Sequence, residues 1–326
     1  MRIVVTGSLA YDYIMDFPGD FKDHVLADKA HTLSVSFLVD SLRWMRGGVA
    51  GNIAYSLALL GERPLVVATA GGDFDEYREW MESKGIDASG VVTFEDDFTA
   101  SAFINTDKAH NQIVAFYPGA MAQSKDLSIE ELGLGPEDLV IVSPGDPEAM
   151  AVHAEECRSL GVPFLFDPGK QTPQLDGEQI LTGLEGASVL VGNDYEFAMM
   201  AQETGKSEEE LIASAPLTVV TRGGEGSAIY ENGGEGLEIP VAPIEEVVDP
   251  TGAGDAYISG LVFGLARDFP LEVVGRLAAL TAAYAIEHRG SQEHQYTLAE
   301  FAERYADAFG STPEIEALAE EESAAR

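Results

Sequence analysis

Cysteine, basic residues and long apolar runs are all scarce in this chain of 326 residues. Cys157 is its only cysteine, so an intramolecular disulfide is excluded and a reducing compartment suits the protein. No apolar run approaches the roughly 20 residues that cross a membrane, and the first residues lack the apolar core of a signal peptide. We therefore expect a soluble protein of the cytoplasm.

Basic residues number only 19, seven of them lysine, against 56 acidic residues, which leaves a formal net charge of −37 at pH 7. A surface this negative repels phosphate backbones and anionic lipid, so nucleic acids and membranes are poor candidates as partners. The acidic residues are spread along the chain, and salt screening makes so much self-repulsion tolerable. We expect a halophilic protein; an ordinary acidic cytosolic enzyme is the alternative.

Several common ligand motifs are also absent from the sequence. The segment after the first predicted strand, residues 7–10, has a single glycine and no G-x-G-x-x-G, which argues against a dinucleotide-dependent dehydrogenase. There is no G-x-x-x-x-G-K-[ST] phosphate loop. The six histidines show neither H-E-x-x-H nor a Cys/His spacing, so a zinc site is not expected.

What the chain does have is a regular alternation of short apolar runs and helical patterns. Continuous apolar runs are typical of parallel strands covered on both faces. A helix is predicted over residues 50–60, with Ile53, Leu57 and Leu60 on one face and Gly61 as its stop. The alternation predicts an α/β sandwich with right-handed crossovers. The predicted strands cover residues 3–5, 65–67, 139–142, 164–166, 189–191 and 218–220.

Two segments, residues 31–45 and 99–118, instead alternate polar and apolar side chains with period two. The second is predicted to be a hairpin with its turn near residues 105–108. We expect one domain over residues 1–326, with a small projecting sheet (the lid) formed by insertions at about 14–45 and 99–118. The Ala/Glu-rich end, from residue 314, is predicted to be a frayed helix.

The strongest chemical signal is D-P-T-G-A-G-D at residues 249–255, which precedes the pattern of a buried helix. Gly252 and Gly254 let the backbone approach a ligand without a Cβ, and with Ala253 they open a helix whose free N–H groups attract an anion. Asp255 would lie beside a bound phosphate and accept a hydroxyl proton. The pattern indicates phosphoryl transfer, although a tight turn and helix cap would use similar residues.

This segment resembles the D-T-G-A-G-D signature of the ribokinase-like, or PfkB, carbohydrate and nucleoside kinases, with Pro250 in place of the common Thr. The resemblance covers residues 1 to about 290. It implies a three-layer α/β/α sandwich with a small β-sheet lid, and an ATP-dependent kinase. Three further family motifs have similar segments here: G-G-x-x-x-N at residues 47–52, N-x-x-E at 193–196 and T-(K/R)-G-x-x-G at 221–226.

For the acceptor site, the resemblance implies that Asp12 grips two sugar hydroxyls near the carboxyl end of the first strand, where α/β sheets bind ligands. Gly47 and Gly48 would bring bare backbone against a sugar ring. Asn52 would offer it a donor and an acceptor. The structural alternatives are a turn aspartate and a glycine-softened helix start.

For the nucleotide, the resemblance implies binding along the loop after the strand at 218–220. His288 is a candidate border of the adenine pocket, and a capping role near Gly290 is its alternative. The loop residues concerned are Thr221, Arg222, which would steady phosphates, Gly224 and Gly226.

Cations complete the implied site. Asn193 and Glu196 suit an octahedral Mg²⁺ that is held largely through water and phosphate oxygens. A surface acidic run is the alternative explanation of these residues. K⁺ is a further candidate cation.

Residues 7–15 and 287–294 are most similar to the adenosine-kinase-like branch. We therefore predict phosphorylation of the 5′-hydroxymethyl group of a nucleoside; a ribokinase-type sugar kinase is the alternative, and a catalytically silent relative is less favoured. The protein would be a monomer or a homodimer paired through its lids. A nucleobase needs apolar walls, and the lid offers Ile14, Phe37, Phe103 and Phe116, which could also form the lid's own core.

Overall fold

The computed structural model describes residues 1–24, 35–109 and 111–325, with side chains to residue 320. Its described strands are β1 (Ile3–Thr6), β2 (Ala10–Asp16), β3 (Ser41–Gly47), β4 (Leu65–Gly71), β5 (Asp87–Phe94), β6 (Ala100–Thr106), β7 (Gln112–Tyr117), β8 (Leu139–Val142), β9 (Phe164–Phe166), β10 (Val189–Asn193), β11 (Leu217–Thr221), β12 (Ser227–Glu231) and β13 (Leu237–Ile239).

Helices connect most of these strands. They are α1 (Val49–Leu59), α2 (Asp75–Ser83), α3 (Pro147–Leu160), α4 (Gly177–Leu184), α5 (Asp194–Thr204), α6 (Glu208–Ile212), α7 (Ala253–Leu265), α8 (Leu271–Ile286), α9 (Leu298–Phe309) and α10 (Pro313–Ala325). Short 3₁₀ turns, among them Gly169–Gln174, lie between them.

Nine strands form the main sheet in the order β13-β12-β11-β10-β9-β8-β1-β4-β5, parallel from β11 to β5 and antiparallel at the β12 and β13 edge. Along β1, Ile3 and Val5 face a core built with α1, α2, α7 and α8, whereas Val4 faces α3 to α6. Apolar residues on both faces explain the continuous runs in the sequence. The expected three-layer α/β/α sandwich is confirmed.

All six predicted strands lie within observed strands, and the helix predicted over 50–60 is α1. The strands β5, β12 and β13 lie outside the predicted runs because they are polar or very short. The fraying predicted after residue 314 is wrong for the start of α10, since Ile315 and Leu318 are buried in the cluster that includes α8 and α9. No helix in the described part of the chain is long and apolar enough to cross a bilayer.

The period-two segments form a separate four-stranded sheet, in the order β3-β2-β6-β7. The predicted extent is wrong: residues 35–40 are not a strand, β3 covers only 41–47, and β2 starts at residue 10. Residues 31–34 lie outside the described residues. The hairpin turn predicted near residues 105–108 is confirmed: it begins after Thr106, and the Asp107 carboxylate accepts the N–H groups of Ala109 and Asn111.

Candidate active site

The turn into α7 presents a helix N-terminus to the carboxyl end of the main sheet. Gly252 caps this helix at φ +81°, a left-handed conformation that favours glycine. The Asp249 carboxylate holds the turn by accepting the N–H groups of Thr251 (3.0 Å) and Gly290 (3.1 Å). A Cβ at Gly254 would meet no atom within 4 Å, so the backbone there borders open space. A free helix N-terminus beside open space can bind an anion.

Asp255 lies in the first turn of α7, and its carboxylate points toward α1. Asn52 Nδ2 donates a hydrogen bond to Asp255 Oδ2 at 2.7 Å. Burial raises the pKa of Asp255, while the Asn52 hydrogen bond and the charge of Lys170 act to lower it. A carboxylate with a raised pKa is a stronger proton acceptor, which suits a general base.

A cavity of about 170 Å³ joins Asp255 to three further ionisable residues: Asp167, Lys170 and Glu196. Burial raises the pKa of Asp167 well above its usual range, and Glu196 and Asp255 add to the effect. Burial also raises the pKa of Glu196. Three carboxyl groups so close together leave the cavity poised to accept a positive charge.

Sequence reasoning missed both Asp167 and Lys170. Asp167 directly follows the predicted strand at 164–166, so its place at the carboxyl end of a parallel strand was a usable signal. Lys170 had no such signal, because it lies in the 3₁₀ turn Gly169–Gln174. Only the fold brings its charge near Asp12, Glu196 and Asp255.

A second cavity, of about 500 Å³, adjoins the first. The two cavities share Thr221, Pro250, Ala253 and Gly254, so the helix N-terminus lies between them. This volume is in the range of pockets that bind small molecules, and it suits the base of a nucleotide. Its walls comprise glycines 223, 224 and 226 and the mostly apolar side chains of Ser227, Val241, Ala242, Ile244, Val247, Tyr257, Ala279, Ala282, Ala283 and Ile286.

Thr221, Gly224 and Gly226 line this cavity as expected. The expected nucleotide contacts of two other residues are corrected. Arg222 does not line either cavity, because its guanidinium pairs with Glu238 on β13. His288 is absent from the lining as well, since its ring turns back to the Tyr284 carbonyl, 2.9 Å from Nδ1.

Asn193 and Glu196 form a reciprocal cap at the start of α5. The Asn193 side-chain oxygen accepts the N–H of Glu196 (2.8 Å), and Glu196 Oε2 accepts the N–H of Asn193 (2.7 Å). The expected metal role of Asn193 is therefore corrected to helix capping. Among the described residues there is no group of three or more His, Cys, Asp or Glu arranged to hold a metal.

Asp12 lies in β2, close enough to Asp255 for the two carboxyl charges to interact. A Cβ at Gly47 would come within 2.8 Å of the Asp12 carboxylate, and one at Gly48 would collide with the backbone of residues 8–10. Both glycines are thus needed for close packing. Burial raises the pKa of Asp12 to about 6, with Lys170 opposing the shift.

The Asn52 side chain is already occupied by the protein. Its Oδ1 accepts hydrogen bonds from Ser291 Oγ and Gln292 Nε2, each at 2.8 Å, and its Nδ2 donates to Asp255. One N–H is left for a ligand. The expected role of Asn52 as both donor and acceptor to a sugar is therefore wrong, because its oxygen has two protein donors.

Strand pairing decides which lid residues face the site. Asp12 pairs with Ala102, and Ala102 pairs with Phe116, so Phe116 shares the face of Asp12. Phe116 is 52% exposed there. This face also carries Ile14, two residues from Asp12.

The other two aromatic candidates do not face the site. Phe37 lies 4.9 Å, ring centroid to ring centroid, from both Phe17 and Phe21, so it belongs to a small core at the lid. Phe103 stacks on Tyr13 at 5.0 Å on the opposite face of the sheet. Both are corrected from ligand contacts to packing residues.

The model of the protein family described as "pfkB family carbohydrate kinase" matches residues 2–297 of this chain. The chain is 32% identical over 316 residues to a nucleoside kinase of Methanothermobacter thermautotrophicus, covering 96% of this chain and 98% of the relative.

Solved structures of a nucleoside kinase from Burkholderia thailandensis are also similar. The one in complex with inosine superposes with a TM-score of 0.86 at 39% identity, covering 96% of this chain and 99% of that one. The one in complex with ADP-inosine gives a TM-score of 0.83 at 40% identity, over 96% and 97% of the two chains.

Proposed function

The chain belongs to the pfkB family of carbohydrate kinases and is a phosphotransferase acting on an alcohol group, and we propose that this alcohol is the 5′-hydroxyl of a nucleoside. The observation that carries the proposal is the position of Asp255. It lies in the first turn of α7 and lines the smaller cavity, which adjoins the nucleotide-sized one, and it is close enough to Asp12 on the lid face for its charge to raise the pKa of that carboxyl. Nucleoside kinases are among the similar proteins in both the sequence and the structure comparison, and one of them was solved in complex with ADP-inosine.

The geometry supports an in-line transfer from ATP. The nucleoside part of ATP fills the larger cavity, and the N–H groups of Gly252 and Gly254 receive the phosphates. The Ala253 N–H between them donates to the Pro250 carbonyl at 3.3 Å and so stabilises the turn instead. Asp255 accepts the proton of the 5′-hydroxyl as its oxygen bonds to the γ-phosphorus. The bond from that phosphorus to the β-phosphate oxygen breaks, and ADP leaves. Lys170 supplies positive charge in the same cavity.

Asp12 is proposed to hold two ribose hydroxyls. Its carboxylate is packed against Gly47 and shares a lid face with Phe116, so a bound ribose would place its base along that face. Ile14 and Phe116 offer the base apolar contact. A purine nucleoside, as in the adenosine-kinase-like branch, is the proposed acceptor.

Magnesium is the proposed cation of the site, with Glu196 as the carboxylate beside it and water and phosphate oxygens as its other ligands. Glu196 Oε2 caps α5, and the carboxylate lies in the cavity with a raised pKa, which a divalent cation would relieve. When bound, Mg²⁺ would neutralise charge on the phosphate oxygens. K⁺ is a second proposed cation, without assigned ligands among the described residues.

A homodimer paired through the lids, in the cytoplasm, is also proposed. The lid face opposite Asp12 exposes Leu42, Trp44 and Ile113, an apolar area on a molecule whose net charge of −37 opposes contact elsewhere. Sedimentation of the wild type and of Leu42→Lys at 1 M KCl tests it, with 1 M chosen for its short screening length of about 3 Å. We expect a dimer that the lysine variant loses; a monomeric wild type would contradict the pairing.

The test of function is turnover. The purified chain is supplied with ATP, MgCl₂ and molar KCl, and ADP formation is measured with a panel of nucleosides, ribose and no acceptor. We expect rapid turnover with nucleosides and little with ribose. Preference for ribose would support the sugar-kinase alternative, and ATP binding without turnover would indicate a catalytically silent relative.

A further inference from the structure

The direction of the Asn52 side chain is set by two donors. Ser291 Oγ and Gln292 Nε2 both donate to Asn52 Oδ1, at 2.8 Å each. Two donors on one amide oxygen leave only the Nδ2 group to face Asp255, to which it donates at 2.7 Å. The reversed amide would turn its oxygen toward the Asp255 carboxylate and its nitrogen toward Gln292 Nε2, a group that can only donate. The pair of donors therefore selects one orientation.

Gln292 is also connected, through Tyr77, to the backbone of Gly47 beside Asp12. It is 3% exposed, and its Nε2 donates a second hydrogen bond to Tyr77 Oη at 2.6 Å. Tyr77 is fully buried, and its hydroxyl donates to the Gly47 carbonyl at 2.9 Å. One buried side-chain amide thus connects the backbone beside Asp12 to the side chain that holds Asp255.

This network explains why Gly51 is a glycine, although the motif G-G-x-x-x-N allows any residue at this position. Gly51 lies inside α1, where glycine destabilises a helix relative to alanine. A Cβ at this position would collide with Tyr77 Oη and come within 2.9 Å of Gln292 Nε2. The helix thus leaves room for the buried hydrogen bonds that pass over it.

We propose that Gln292, with Ser291, is a positioning residue for phosphoryl transfer: it orients the Asn52 amide so that Asp255 is held ionised and aimed at the acceptor hydroxyl. The proposal rests on the proposed kinase function. Gln292 and Ser291 touch neither substrate nor the reacting atoms in this role and act only through Asn52.

The chemical consequence is on the proton affinity of Asp255. Burial raises the pKa of Asp255, and the Asn52 hydrogen bond is the largest effect opposing it. Losing the bond, or reversing the amide, favours the protonated acid, which cannot act as a base. The other charged groups that face Asp255 are left unchanged by substitutions at 291 and 292. They are Asp12, Asp167, Glu196 and Lys170.

The experiment compares the wild type with Gln292→Met and with the double variant Ser291→Ala/Gln292→Met. Methionine keeps the length of the side chain and removes its donors without adding charge. We expect kcat to fall about tenfold to a hundredfold in the double variant, the cost of a misplaced catalytic group. In the plot of kcat against pH, the acid limb, where kcat falls as Asp255 becomes protonated, should move to higher pH by about one unit. KM for ATP should stay within about twofold, which also reports a folded enzyme.

Tyr77→Phe is the matched control, because it removes a buried hydrogen bond from the same glutamine without touching Asn52. It should raise KM for the nucleoside through the Gly47 backbone and leave the acid limb in place. Thermal unfolding of all variants separates loss of stability from loss of positioning.

A second readout does not need turnover. The carboxyl carbon of Asp255, labelled with ¹³C and assigned with Asp255→Asn, is titrated by NMR in the wild type and in the double variant. A higher pKa in the variant supports the proposal. An unchanged acid limb and an unchanged carboxyl pKa, with only a lower melting temperature, would show that Gln292 merely packs. Absence of turnover in the wild type would instead contradict the kinase function, and the NMR result would still decide the role of Gln292.

Discussion

At the scale of single residues, the site is a set of carboxyl groups that the fold holds at a cost. The pKa values of Asp12, Asp167, Glu196 and Asp255 are all raised, and burial is the first cause of each shift. Groups that are unfavourably charged in the free protein gain most when a cation or a hydroxyl donor binds. Such clusters are typical of sites that transfer charged groups.

Asp255→Asn is expected to lower kcat by two to four orders of magnitude, the range of general-base effects. Asparagine keeps the size of the side chain but cannot accept the hydroxyl proton. Steady-state turnover with a saturating nucleoside measures the effect, and ATP binding by calorimetry should persist as the control. A variant that keeps more than about a tenth of the wild-type rate would remove Asp255 from proton transfer.

Asp12→Asn is expected to stabilise the protein at neutral pH while impairing nucleoside binding. The pKa of Asp12 is about 6 in the fold, against an ordinary 3.8, so the folded state binds the proton more tightly than the unfolded chain. Stability therefore falls as pH rises from about 4 to about 6, by about 2 to 3 kcal/mol at most, and the cost is fully present above pH 6.

Melting temperatures at pH 4 and pH 7.5, at one KCl concentration, measure this difference. The gain should be present at pH 7.5 and absent at pH 4. Asp97→Asn is the control with the opposite sign, since the Tyr117 hydroxyl and the Phe98 N–H lower the pKa of exposed Asp97. Equal melting temperatures for Asp12→Asn and wild type at both pH values would contradict the buried state of this carboxyl.

At the scale of elements, the lid is a four-stranded sheet whose two faces have different surroundings. The face that carries Asp12 and Phe116 is directed to the site, while Phe103 and Tyr13 stack on the other. Closing a lid over substrate excludes water, which would otherwise compete as phosphoryl acceptor. The lid is therefore proposed to make the protein a kinase rather than an ATPase.

Phe116→Ala is expected to raise KM for a nucleoside by about tenfold or more, because burying an aromatic side chain contributes about 1.5–3 kcal/mol. KM for ATP and for ribose should barely change, since neither places a base on this lid face. Parallel titrations with nucleoside, ribose and ATP provide the measurement.

Phe103→Ala is the matched control, an aromatic residue of the adjacent strand on the opposite face. It should leave the nucleoside KM close to that of the wild type. Equal losses for nucleoside and ribose in Phe116→Ala would show that Phe116 only packs the lid.

At the scale of the whole molecule, charge dominates. With a net charge of −37 on 326 residues, the carboxylates repel one another unless salt screens them. Ion pairs such as Arg2–Asp138 and Arg304–Glu287 neutralise a few of the carboxylates. The 19 basic side chains cannot offset 56 acidic ones. Stability should therefore depend on the ionic strength of the solution.

The melting temperature is expected to rise steeply between about 0.1 and 1 M KCl, as the screening length shrinks from about 10 Å to about 3 Å. Differential scanning calorimetry measures it. NaCl at matched ionic strength is the control, because screening acts equally with both salts whereas a bound K⁺ would favour KCl. A flat profile in both salts would contradict the halophilic interpretation.

The sequence by itself determined the positions of six main-sheet strands along the chain, the turn at 249–255 and the place of Gly252 and Gly254 at the start of α7. These features are local: neighbouring residues share one element, so period, capping and glycine chemistry predict them.

Only the tertiary structure decided where long side chains point. Asn52 meets Gln292 across 240 positions of sequence, Arg222 turns to Glu238, and Phe37 enters the core at the lid. The physical reason is that a motif specifies backbone and residue type. The partner of a polar or aromatic side chain depends on which distant element packs against it, and that packing is a property of the whole fold.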